Sequence, residues 1–477
     1  MTRSRAGLLT LVLFAAFASF GCGANYGANS TSSFPSSSMG AVAVPITMTD
    51  TPPAGITTLS FEVTVTSAIL NPGNVDLLAG KRAVRVEVRE LETESAFLNT
   101  ASIPPGTYTS LNLTFANPEL TFQNNTAAPL AGCAVGAVCE IDPTGTLNSV
   151  VTFAAPGITV SGNSPMGVQI DVNPNEVLTA ALGVNFGLGV TAQTMPMKPA
   201  GEVEDLEDLE GMVQNLNLTL SQFTLHTMNG DFTILINNNT EFELESCGAN
   251  NLSCLVNGEV VKVDVGVMSA GAFVAKKIEV EDEVEDDELD GIIFKIDDAT
   301  HFEMVVLDEL RSVNNVNVGN PVVVTLNNAS FQVQTDNLPV PGTLLTSFES
   351  AMNTSQLLPG QTIEVRVAAP VNPGPPFMVT SDRVRLVMTQ FTANVMAGSI
   401  APPDFSVNNL PALFTGAGIA SIHVQTSSQT EFEDVANISA LANGDTVSLR
   451  GLLFRNGANP PELIAKKVRR RDADDHD

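Results

Sequence analysis

Apolar and polar residues alternate with a period of two through most of the chain, beginning near residue 41. LSFEVTVTSAIL places Phe61, Val63 and Val65 on one strand face, and RAVRVEVREL turns Val84, Val86 and Val88 inward with Arg85, Glu87 and Arg89 outward. IPPGTYTSLNLTF supplies a turn at Pro105 and Gly106, followed by Tyr108, Leu111, Leu113 and Phe115 on or near the next strand. VQIDV, at 168–172, adds another strand. Helical periodicity is scarce; AFLN, at 96–99, suggests one short turn of helix. The pattern predicts a β-sandwich over 41–193.

The second half repeats itself. FTILINNNTEFE (232–243) aligns with IHVQTSSQTEFE (422–433), and AKKIE from Ala275 aligns with AKKVR from Ala465 at the same offset. NGEVVKVDV from Asn257 answers NGDTVSLRG from Asn443. A diverged middle copy carries NNASFQV from Asn327, PGQTIEVRV from Pro359 and SDRVRLV from Ser381. Each copy is expected to open on a glycine-led strand, at Gly211, Gly291 and Gly398. Five or six short strands per copy predict small closed or partly open barrels of OB-like design. The fold class expected is therefore all-β: an N-terminal β-sandwich followed by three small OB-like β-barrel repeats at 211–282, 291–388 and 389–472. Acidic linkers are expected at 194–210 and 283–290, and an acidic tail at 473–477.

Two resemblances accompany these patterns. TMTDTPPAGITTLSFEVTVTSAIL with IPPGTYTSLNLTF makes residues 41–193 resemble the exported bacterial domain of unknown function 4382. The T-x-F-E and A-K-K segments make the repeats similar to domain of unknown function 5666, whose copies often follow one another in exported proteins. Both imply architecture; neither implies an activity.

The N-terminus changes the picture from fold to address. Arg3 and Arg5 precede an apolar segment at 7–18, the layout of an export signal, and the apolar run 6–21 is shorter than the roughly 20 residues of a membrane span. ASFGC, ending at Cys22, resembles the lipobox of bacterial lipoproteins, although Ser19 and Phe20 depart from its usual residues. That resemblance implies cleavage after residue 21 and lipidation of Cys22; the rival is ordinary cleavage after Ala18, which would leave a free thiol. Five cysteines favour the lipid: Cys133 with Cys139 and Cys247 with Cys254 can close two local disulfides, leaving Cys22 over. Their spacings are too wide for a zinc knuckle. Residues 22–40, rich in Gly, Ser and Asn, read as a flexible tether.

The net charge of −30 repels phosphate backbones, so nucleic acid is not an expected partner. The absence of Trp and only 2 Tyr weigh against a sugar-stacking surface. The chain carries no nucleophile elbow, zinc-protease or phosphate-loop motif, and His423 aligns with Thr233, so histidine does not recur between copies. DDELDGIIFKID places Asp286, Glu288, Asp290 and Asp297 at positions one, three, five and twelve of a calcium loop. Its flanks read as strands rather than helices, which argues against an EF-hand and leaves a looser calcium site at the junction as the alternative to a solvated spacer. One lysine of each repeated pair, Lys276–Lys277 and Lys466–Lys467, is expected to face out on the closing strand, where it can neutralise a neighbouring carboxylate and discourage edge pairing. The reading that results is a non-catalytic lipoprotein of the cell envelope, held to a Gram-negative outer membrane by its lipid. It would be a scaffold or a binder of an envelope protein or polysaccharide; a calcium- or glycan-binding module and an envelope hydrolase are the alternatives.

Overall fold

The computed structural model describes residues 40–50, 57–81, 83–162, 166–195, 197–198, 201–227, 229–244, 251–269, 271–280, 288–310, 316–372, 374 and 376–471. The export signal, Cys22, the tether, Cys247, Asp286 and the acidic tail lie outside them. Among the described residues no helix is long and apolar enough to cross a membrane.

The N-terminal unit is a sandwich of two sheets. One has the order Val190–Met195, Gly167–Val172, Val42–Asp50, Ala96–Ile103. The other is built on the long pair Thr57–Asn71 and Ser110–Gln123, flanked by Val84–Glu87 and Asn148–Thr152. Val44, Ile46 and Met48 from the first sheet meet Phe61, Val63, Val65, Leu113 and Phe115 from the second in one core. The alternating residues of the sequence are thus the inward faces. AFLN is not helical. Phe97, Leu98, Ala101 and Ile103 are buried, and the segment pairs antiparallel with Val42–Asp50, so packing decides against a helical turn.

Three five-stranded barrels follow. The first uses Glu202–Asn217, Gln222–Thr227, Gly230–Leu235, Val260–Met268 and Phe273–Val280. The second uses Glu288–Ile296, His301–Leu310, Pro321–Val333, Thr362–Asn372 and Phe377–Leu386. The third uses Thr389–Val395, Asp404–Asn408, Ile422–Gln425, Thr446–Phe454 and Glu462–Arg471. In each the order is 1-2-3-5-4 closing back on strand 1, and strands 3 and 5 are the parallel pair. Closure removes the open edges that short strands would otherwise expose.

Two expectations need correction. The stretch read as an acidic linker, 194–210, contains most of the first barrel's opening strand, which pairs with Val260–Met268 from Glu202 onward. Likewise 288–290 belong to the second barrel's first strand. Their carboxylates fit a strand because cations meet them: Lys198 lies 2.9 Å and Lys276 2.5 Å from Asp205, and Lys276 lies 3.1 Å from Glu202. The glycines also differ in role. Gly211 and Gly291 sit inside strands where a Cβ would meet a backbone oxygen across the ladder, whereas Gly398 lies in the turn after the third barrel's first strand with φ +72°.

Candidate functional site

The repeat signature turns out to be a joint. Thr240 and Thr430, which open T-x-F-E, donate to the carbonyls of Ala275 and Ala465 at 2.7 and 2.8 Å. Glu241–Glu243 and Glu431–Glu433 then add as parallel strands to the closing strand of their barrels. This register brings Glu243 to 2.8 Å from Lys277, and Glu433 to 3.3 Å from Lys467. Lys277 also lies 3.7 Å from Asp336 of the second barrel. Burial opposes the charge on both lysines, yet the surrounding carboxylates raise them above the ordinary value. For Lys467 those carboxylates are Glu433, Glu207, Glu431 and Glu94, so the third barrel, the first barrel and the sandwich all contribute. The equivalent role in the second barrel falls to Arg383, buried with Glu288 and Glu364.

Further contacts bind every unit to the others. Arg450 of the third barrel reaches Glu94 of the sandwich at 2.7 Å and Glu207 of the first barrel. Arg471 donates to the carbonyls of Asp50 (3.1 Å) and Glu92 of the sandwich. Thr121 donates to the Gly319 carbonyl at 2.6 Å, and Asn320 to Glu140 at 2.9 Å, joining sandwich and second barrel. Gln361 donates to the Leu453 carbonyl at 2.7 Å between the second and third barrels. Phe97 stacks edge-on against Phe232 and Phe273 of the first barrel, at centroid distances of 5.6 and 4.8 Å.

Where the four units meet they leave a cavity of about 610 Å³. Nine carboxylates and four basic side chains line it, beside apolar walls that include Leu91, Phe97, Phe232 and Leu307. Glu90 projects from the 3₁₀ turn Val88–Glu92 of the sandwich, and Asp290 and Asp308 stand opposite each other on the first two strands of the second barrel. Burial raises Glu90 well above the ordinary carboxylate value, and Asp308, Glu87, Glu94 and Asp290 push it the same way.

Of the residues singled out from sequence, Cys133 and Cys139 form a disulfide. Cys254 is also disulfide-bonded. Glu288 and Asp290 lie on one extended strand, Glu288 against Arg383, while Asp297 just past its end is 2.6 Å from Lys295. A strand advances about 3.3 Å per residue and does not wrap oxygens around one ion as a loop does. Among the described residues no three His, Cys, Asp or Glu side chains are grouped to hold a metal. His226 is exposed and His301 half-buried, and they sit beside Asp231 (2.5 Å) and Asp298 (3.0 Å). Sequence reasoning missed Asp50, Glu90, Asp308, Arg450 and Arg471. The available signal was a charge interrupting an apolar strand, as Arg450 does in TVSLRGLLF.

No curated protein matches the chain. The model of a domain of unknown function, DUF5666, matches residues 210–279 and 402–468, which lie in the first and third barrels and contain both copies of the T-x-F-E and A-K-K joint.

Proposed function

We propose that the protein is a non-catalytic exported lipoprotein, anchored through Cys22, that serves as a scaffold or surface-binding protein of the cell envelope. One observation carries this reading: of the charged residues that recur between copies, Lys276, Lys277, Lys467, Glu243 and Glu433 lie in ion pairs at and around the joints between units, as Lys277 does with Glu243 and Asp336. Groups neutralised in this way hold geometry; they are not left to bind and release a proton during turnover. A body of one sandwich and three closed barrels offers a broad surface with few open strand edges, suited to an envelope protein or polysaccharide as partner.

The anchor and the role are tested separately. Palmitate label is expected in the wild-type chain and the membrane fraction, and Cys22→Ala is expected to lose both. Label that persists in Cys22→Ala removes the anchor. Turnover in a broad panel of ester, glycoside and peptide substrates would replace the scaffold reading with an envelope hydrolase. Cross-linking in intact envelopes should capture a defined partner that a chain lacking the tether does not reach.

A further inference from the structure

The 3₁₀ turn Val88–Glu92 lies between two clusters of carboxyl groups that face different units. On its cavity side, Glu90 confronts Asp290 and Asp308, which are direct partners across an antiparallel strand pair. Like charges opposite one another in a ladder are destabilising. Glu87 and Glu94 crowd the same space, with Arg85, Arg89, Lys262 and Arg450 as the basic side chains of the cavity wall.

On the other side lies Asp50, at the end of strand Val42–Asp50. Its side chain is fully buried, and neither carboxylate oxygen has a hydrogen-bond partner among the described residues. The charged groups around it are Glu92 and Asp171 of the sandwich, Arg471 of the third barrel, and Arg89. Arg471 spends its own hydrogen bonds on Ser448 and on the carbonyls of Asp50 and Glu92 rather than on the Asp50 carboxylate. The turn is thus held on one side by Arg471 of the third barrel's last strand and faces the second barrel's paired aspartates across the cavity on the other, with Asp50 and Glu90 both costly to ionise where they stand.

We propose that this turn is the pivot of a proton-operated clasp: the sandwich closes on the barrels while Asp50 and Glu90 carry protons, and their ionisation parts the units and opens the cavity. The sign follows from linkage. Burial, then neighbouring carboxylates, raise Asp50 and Glu90 well above their ordinary values of 3.8 and 4.5. A group raised in the folded state contributes stability that is complete below its unfolded value and disappears as pH climbs through the folded one. The clasp therefore weakens with rising pH. Lys81, at the contact with the first barrel, has the opposite sign and acts only above about 8, so the window that reports the clasp is pH 5 to 8.

The test is hydrogen exchange of the full chain in detergent, corrected for intrinsic rates. Opening of the segment 88–98 should rise at least about tenfold from pH 5 to pH 8, one unit of titration being a factor of ten. Glu90→Gln with Asp308→Asn should flatten that rise, and so should Asp50→Asn, a near-isosteric change at a separate cluster. Equal corrected exchange at pH 5 and pH 8 in the wild type overturns the proposal. So does a rise that is unchanged in both folded variants. None of these readouts depends on Cys22, so the clasp and the envelope reading can fail independently.

Discussion

Two opposed forces act on Lys81. Its ammonium lies 4.7 Å from the Phe232 centroid and 5.3 Å from that of Phe97, where ring quadrupoles favour the charge. Its Nζ nevertheless has no hydrogen-bond acceptor among the described residues, and burial lowers it from 10.5 to about 8. Desolvation and the aromatic faces therefore act on the ammonium in opposite directions. With the folded value depressed, the stability tied to neutral Lys81 is complete above 10.5 and is lost as pH falls through about 8. Lys81→Met keeps the stem and removes the charge. It is expected to raise Tm at pH 7 and to abolish the extra stabilisation between pH 8 and 10.5; an unchanged Tm–pH curve would show that the rings fully compensate the ammonium.

At the scale of elements, the period-two pattern was enough to read strands, faces and the sandwich, because burial on one side of a sheet writes itself into alternate residues. Barrel starts were less legible. The run from Glu202 to Glu210 is acidic enough to read as a spacer, and the cations that make it a strand, Lys198 and Lys276, are brought to it by the fold. Gly291 records the same strand in another way. An added Cβ would sit 2.5 Å from the Val305 carbonyl oxygen, so the ladder leaves no room for one. Gly291→Ala is expected to cost about 1–3 kcal/mol through strain. Gly342→Ala, at the start of helix Gly342–Glu349 with open space around it, is expected to be neutral or stabilising by up to about 1 kcal/mol. Urea denaturation of the two variants separates steric from intrinsic preference; equal effects would mean that the ladder relaxes around the methyl group.

At the scale of the molecule, little of the assembly was legible, since partners such as Arg450 and Glu207 stand 243 residues apart and no local pattern couples them. The pairing emerges only once three copies of one topology are packed around a sandwich. That packing also merges cores. Leu452, Phe454 and Ile464 of the third barrel belong to the same buried cluster as Phe302, Phe348 and Val384 of the second, and Leu59 of the sandwich joins Ile292 and Val305 of the second barrel and Leu413 of the third. A shared core couples the unfolding of the units that share it, because exposing one face removes the cover of the other. Calorimetry at pH 5 is expected to show the second and third barrels melting in one transition. Phe454→Ala removes a buried ring 6.3 Å from Phe348. It should lower that transition as a whole, by about 3–5 kcal/mol, instead of splitting it. A separate early transition, with exchange lost in 389–471 while 288–386 stays protected, would show the barrels to be independent modules on a string. The hydrogen bond from Gln361 to the Leu453 carbonyl, buried between them, would in that case be a contact without consequence.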